Sequence, residues 1–339
     1  MQNQVLKTSI AEKILLIIGI VLICVSCDHE KITSHIFETD PYTNRLNWNF
    51  ASKPYNIDLP KGNINYFMSQ DFNKIDVYDD SLLASNEEND KVGLLRSKLS
   101  PSPLAIPGFI NNSWSGLMQY LDESINLSEV DYIECQILEN ADVFPDVPVT
   151  MHIDIGCINE DFYRPGESTN ADMEDGLVIQ DSILDGEEDV GLDRIENGQP
   201  GDDPDDDYSN DKIMVNGFEE YPEINGTEGN NRLDTEDLNY NGMLDLNNSY
   251  IHYSFGLDSD EYLHTINTKG LRTYRIPVDI YEIVMDSNFN PDLQNLEYLR
   301  IWFEYPEETY VILISIKFVD LENESNSREI IKPLISDLE

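Results

Sequence analysis

Tyr310-Val-Ile-Leu-Ile-Ser-Ile-Lys-Phe-Val319 is the most β-branched run in a chain of 339 residues, and its reading decides the fold. Branched side chains are stiff at χ1 and pack well on a pleated surface, so the run reads as a buried strand. Working outward, the same kind of short run recurs at 296–303, 271–278 and 250–257, and again at 147–157, 130–138 and 113–120. Turn residues separate these runs and long amphipathic helical patterns are missing. Seven or more such strands predict an all-β chain, an antiparallel β-sandwich, over residues 91–325. A helical turn is expected at 280–285. Residues 28–90, rich in Asn, Asp and Ser, read as a polar tether with partial order. Its aromatic residues Trp48, Phe50, Tyr66 and Phe67 are placed to add a strand or cover an edge. Residues 326–339 read as a C-terminal tail.

Between the third and fourth of these strands lies an acidic insertion, residues 158–248, too long for a plain loop. Three Glu-Asp pairs, Glu160-Asp161, Glu174-Asp175 and Glu188-Asp189, stand fourteen residues apart, and a fourth is Glu236-Asp237. Residues 160–210 hold eighteen Asp or Glu against two Arg and no Lys. Like charge at that density repels itself, so the segment is either solvated or folded around cations. Asp237-Leu-Asn239-Tyr-Asn241-Gly242-Met-Leu-Asp245 has oxygen side chains at alternate positions, a glycine for the sharp turn and an apolar anchor, the order of a calcium loop. Asn248 stands where an EF-hand needs a bidentate Glu, so a calcium loop of another kind is expected. Glu174-Asp175 to Leu184-Asp185 echoes Glu236-Asp237 to Leu244-Asp245 with two extra residues. The expected Ca2+ ligands are therefore Asp237, Asn239, Asn241 and Asp245, with Glu188, Asp189, Asp193, Glu174, Asp175, Asp185, Glu160 and Asp161. The Asp-Asp-Pro-Asp-Asp-Asp run at 202–207 reads as a solvated spacer, because adjacent acids splay apart.

The net charge of −45 argues against nucleic acid and anionic lipid surfaces as partners. At the N-terminus Lys7 and Lys13 precede twelve apolar residues, 14–25, a length that suits an export signal rather than a membrane-spanning helix. Val25-Ser26-Cys27 resembles the end of a bacterial lipobox, which implies a lipoprotein-type signal over residues 1–27 with Cys27 as the lipidation site. Cys24 takes a position usually held by Leu, and an ordinary secretory signal is the alternative. The chain would then meet the membrane through its N-terminal lipid only, as an outer-membrane lipoprotein on the cell surface or the periplasmic face. Cys135 and Cys157 both fall on predicted strands, either as a disulfide permitted by an oxidising compartment or, the reading preferred here, as two buried free thiols.

Ile158-Asn-Glu160-Asp161, Glu188-Asp189-Val190-Gly191-Leu192-Asp193, Asn225-Gly-Thr-Glu-Gly-Asn230 and Thr235-Glu-Asp-Leu-Asn-Tyr-Asn-Gly-Met-Leu-Asp245 resemble segments of the SprA family, cell-surface proteins of gliding motility and type IX secretion in Bacteroidetes. The likeness spans residues 114–318 and implies a shared extracytoplasmic β-domain without the translocation barrel. The strand pattern is also similar to jelly-roll sandwiches of the galactose-binding type, whose last strand resembles 310–319.

Catalysis is not expected. Among so many acids some pair always looks like a glycosidase dyad, and here they sit among Gly and Asn rather than in an apolar pocket. His29, His35, His152, His252 and His264 make no metal-binding spacing, and no nucleophile-elbow, phosphate-loop or dinucleotide motif occurs. His152 and His252 read as surface residues, and Trp114 and Trp302 as core or edge packing rather than sugar platforms. The sequence thus predicts a non-enzymatic envelope lipoprotein ordered by Ca2+, with a structural or binding role towards an envelope protein partner; the alternative is a surface carbohydrate-binding module with a glycan partner.

Overall fold

The computed structural model describes residues 48–69, 72–79, 82–83, 88–105, 112–139, 147–166, 170–175, 184, 188–203, 206–208, 213–215, 218–220, 226–286, 289–320 and 328–329. The expected signal segment with Cys27, the ligand Asp185 and most of the C-terminal tail lie outside them.

Two antiparallel sheets face each other. One runs in the spatial order β1 (Asn49–Phe50), β4 (Ser113–Ile125), β13 (Leu296–Tyr305), β6 (Thr150–Cys157), β9 (Ser249–Gly256), β12 (Glu282–Met285). The other runs β10 (Leu263–Ile266), β11 (Leu271–Pro277), β5 (Tyr132–Leu138), β14 (Thr309–Val319), β3 (Leu94–Ser100), β2 (Asn63–Ser69), with β15 (Arg328–Glu329) beside β14. A small separate hairpin joins β7 (Ile213–Val215) to β8 (Phe218–Glu220). Among the described residues the α-helical structure is one short turn, α1 (Lys74–Val77), and no helix is long and apolar enough to cross a membrane. The chain is an antiparallel β-sandwich.

The period-2 pattern explains the core. Leu117, Ile153, Ile155, Ile251, Leu299, Ile301 and Phe303 of the first sheet meet Leu95, Leu99, Ile133, Ile137, Tyr274, Ile316 and Phe318 of the second. The decisive run 310–319 is apolar on both faces for a reason: the register shifts between Leu313 and Ser315, so Val311 and Leu313 before the shift, and Ile316 and Phe318 after it, all face inward. Ile312 and Ile314 point out, beneath a cover formed by Val77, Val92 and Phe72.

Three expectations are corrected. The folded body begins at Trp48 rather than near residue 91, because β1 pairs with β4, β2 pairs with β3, and Trp48 and Tyr66 enter the core. Residues 282–285 form edge strand β12 instead of a helical turn; pairing with β9 overrides the local pattern. Cys135 and Cys157 lie in different sheets, both free; Cys135 is buried, whereas Cys157, at the end of β6, is exposed.

Candidate metal-binding lobe

The described residues of the insertion form a lobe over the outer face of the first sheet. On that face Trp114, Met118, Tyr250, Tyr298 and Trp302 point away from the sandwich interior, and the lobe supplies Ile158, Phe162, Leu192 and Leu238 to form a second apolar core. Trp114 and Trp302, edge to face at 6.5 Å, are buried here. Alternation on the sheet delivers a polar cluster to the same face. Asp154 stands opposite Arg300 on one neighbouring strand and opposite His252 on the other. Arg300 Nε donates to Asp154 Oδ2 at 2.7 Å, Trp302 Nε1 to the same oxygen at 3.0 Å, and His252 Nδ1 lies 2.6 Å from Oδ1. Arg300 Nη2 is also 2.7 Å from Oδ2, as an ion pair rather than a second hydrogen bond. Burial alone would raise the Asp154 carboxyl, but Arg300 and His252 outweigh it and hold it below the usual range. His152 stacks on Trp302 at 3.5 Å, and burial together with neighbouring His252 pushes its pKa down to about 3, against the pull of Asp154. The expectation of surface roles for His152 and His252 is therefore corrected: His152 is buried against Trp302, and His252, partly exposed, is engaged with Asp154.

Within the lobe the glutamates of the Glu-Asp pairs turn inward and hold backbone amides. Glu160 accepts from Leu238 N (2.9 Å) and Asp245 N (3.0 Å), and from the Tyr298 hydroxyl at 2.8 Å. Glu174 accepts from Gly191 N and Asp234 N, each at 2.8 Å. Glu236 accepts from Phe162 N, Tyr163 N and Asp172 N. Each thus joins segments distant in sequence, which the repeat in the sequence does not by itself reveal. Glu188 is fully buried and Asp175 nearly so. Burial pushes Glu160 and Glu236 up to about 7 despite these amides, and raises Glu174 beside Asp234.

The aspartates shape turns. In the 237–245 loop, Asp237 Oδ1 and Oδ2 accept from Asn241 N and Gly242 N at 3.0 and 2.7 Å. Asn239 Nδ2 and Asn241 Nδ2 both donate to Asp245 Oδ2, at 2.8 and 3.1 Å. Gly242, at φ +82°, makes the turn that a side chain would strain. The four expected ligands of this loop are thus brought together. The remaining ones are spread: Asp161 caps Gly166 N, Asp189 holds Asn230 N and Asn231 N, and Asp193 holds Ile195 N and Asp203 N. Of the 174–185 segment expected to echo 236–245, only residues 174, 175 and 184 are among the described residues, and there Glu174 is engaged with Gly191 and Asp234.

The spacer reading of 202–207 is corrected by the folded positions of its described residues. Asp206 is buried, its N–H bonds Asp203 O, its carbonyl accepts from Glu228 N, and Asp207 bridges to Glu228. Asp202, Asp206 and Glu228, none of them among the expected ligands, come together here. No local signal marks Glu228, because its partners lie more than twenty residues away.

The fold and lobe define an antiparallel β-sandwich with an acidic cover on one sheet. No protein-family model matches the sequence, and no curated protein matches it. Among solved structures the chain is similar to a family 11 carbohydrate-binding module from Clostridium thermocellum, solved in complex with a beta-1,3-1,4-mixed-linked tetrasaccharide, at 9% identity and a TM-score of 0.34, covering 82% of this chain and 91% of that one.

Proposed function

We propose that this chain is a non-enzymatic structural module of the bacterial cell envelope, exported as a lipoprotein, in which Ca2+ orders the acidic lobe and the lobe seals one face of the sandwich. The single observation that carries the reading is the second apolar core. Phe162, Leu192 and Leu238 of the insertion close over Trp114 and Trp302, so the most acidic part of the chain is built into the fold rather than left in solvent. Burying carboxylates beside one another, as Glu174 beside Asp234 and Glu160 beside Asp245, raises their energy unless cations neutralise them. The envelope setting rests on the export signal and on the likeness to SprA-family segments. A protein partner is favoured over a glycan because all three tryptophans, Trp48, Trp114 and Trp302, are buried and offer no stacking platform. Edge strand β12 and the chain after it expose Ile283, Met285 and Phe289, an apolar margin suited to a protein partner.

The test is thermal unfolding of the full-length chain in excess chelator and then in Ca2+ at about 1 mM, the range of extracellular calcium modules. A rise in the midpoint with Ca2+ is expected, since a ligand bound only by the folded state must stabilise it. An unchanged midpoint would overturn the calcium reading. Retardation on polysaccharide gels would replace the structural role with glycan binding.

A further inference from the structure

We infer that Asp202, Asp206 and Glu228 form a Ca2+ site that clamps the two arms of the acidic lobe together. The inference rests on the calcium reading of the lobe and gives it a place outside the sequence-recognisable 237–245 loop. One ligand oxygen from each of the three residues lies within 4.8 Å of the others. That is the span of opposite ligands around an ion with bonds of about 2.4 Å, which suits Ca2+.

An acidic cluster alone would not justify a site. The second observation is the state of its oxygens. Asp206 is 7% exposed, yet both Oδ1 and Oδ2 are buried without any hydrogen-bond partner. Glu228, also 7% exposed, has Oε2 in the same condition, while its Oε1 accepts from Asn197 N at 2.5 Å. Asp202 Oδ1 is buried and unpartnered too, its Oδ2 being taken by Gly198 N at 2.7 Å. Elsewhere in the lobe, carboxylates such as Glu160, Glu174 and Asp237 are matched to amides on both oxygens. Buried carboxylate oxygens left bare carry a desolvation cost that a cation removes.

No protein cation does so: among the described residues none of the three forms an ion pair with Lys or Arg. The nearby Arg164 Nη2 is 4.0 Å from Asp193 instead. Burial, followed by Asp193, Asp203, Glu228 and Asp202, pushes Asp206 up to about 8, so the cluster is short of positive charge. Gly191 leaves room for the group, since a Cβ there would collide with Asp206 Oδ2. An all-carboxylate set without His or Cys selects a hard, oxygen-seeking cation, and the flexible coordination of Ca2+ suits it better than the strict octahedron of Mg2+.

The position gives the ion a task. Asp202 and Asp206 belong to the arm that carries Leu192, and Glu228 to the arm that returns to the sheet. The two arms already touch where Leu192 N donates to Thr227 Oγ1 and where Val190 bridges to Glu228. An ion across them holds Leu192 against the second core.

The test uses the full-length chain and Ca2+ alone, read by calorimetric titration and by the melting midpoint, on the wild type, Asp206→Asn, Glu228→Gln and Asp237→Asn. Asp206→Asn removes charge and keeps shape. It is expected to melt at least as high as wild type in chelator, because repulsion is relieved, yet to lose one bound Ca2+ and most of the Ca2+-dependent rise; a residue with a merely structural role would not give that pair of results. Glu228→Gln keeps the Asn197 contact and is expected to weaken the same ion about tenfold or more, as affinity follows ligand charge. Wild-type stoichiometry and rise retained in both variants would overturn the inference. If that retention is accompanied by loss in Asp237→Asn, the ion belongs to the 237–245 loop and the calcium reading of the lobe survives. A wild type that binds no Ca2+ overturns both.

Discussion

Arg300 and Asp154 stand directly opposite each other on β13 and β6, both fully buried, with Arg300 Nε 2.7 Å from Asp154 Oδ2, on the outer face of the first sheet. The pair is closed in by Ser52, whose carbonyl and hydroxyl both accept from Arg300 Nη1, and by the Tyr250 ring beneath the guanidinium. Removing Asp154 leaves Arg300 charged and uncompensated. Asp154→Ala is expected to cost about 3–5 kcal/mol in urea unfolding, and the double change with Arg300→Met to recover much of that. A single-variant cost below about 1 kcal/mol would mean that water reaches Arg300 and that the cover is loose.

The packing of the lobe on this sheet can be tested through its apolar residues. Phe162 is a buried member of the lobe, packed in the cluster that holds Trp302. Phe162→Ala is expected to destabilise the chain by about 3–5 kcal/mol, the usual cost of deleting a buried aromatic ring. A solvated arm would give a change close to zero in the same denaturant titration.

The buried glutamates predict an unusual pH response. Burial raises Glu160 and Glu236 from 4.5 to about 7 in the folded chain. A carboxyl whose folded pKa is raised favours the folded state most when protonated. Its contribution is fully present below about 4.5 and is lost as pH climbs to about 7. In chelator, the melting midpoint should therefore fall as pH rises through that window, and Ca2+ should flatten the fall. A midpoint that climbs from pH 4.5 to 7 in chelator would show that these glutamates are not buried as described.

Cys157 and Cys135 should differ under a thiol reagent. Cys157 is exposed, but desolvation of its sulfur, then Asp245 and Glu297, pushes it up to about 11, so little thiolate is present at neutral pH. Cys135 is fully buried and its thiol is raised further. Peptide mapping after native labelling should find Cys157 modified slowly, about tenfold faster per pH unit, and Cys135 untouched until unfolding. Equal labelling of both would contradict the burial of Cys135 in the core.

The strands were legible where a run had both length and alternation. The seven predicted runs correspond to β4, β5, β6, β9, β11, β13 and β14. Strands β3, β10 and β12 were not foreseen, and β1 and β2 only as aromatic residues placed to add a strand or cover an edge; pairing with β14, β11, β9, β4 and β3 is what makes them strands. In the lobe, the spacing of Asp237, Asn239, Asn241 and Asp245 marked a turn that does converge. The same spacing logic misjudged Asp202 and Asp206, whose convergence depends on Glu228 arriving from another arm.

The sequence by itself determined that this chain makes an antiparallel sandwich, because alternation along a strand is a local property that burial on one face imposes. It also shows an insertion whose like charge at that density repels itself. Tertiary structure alone decided what the acids do. A carboxylate that holds an amide, one paired with Arg300 and one left bare beside two others are the same residue type in sequence. They differ only in which distant backbone or side chain the fold sets against each oxygen, through strand register for Asp154 and through the packing of lobe segments for the others.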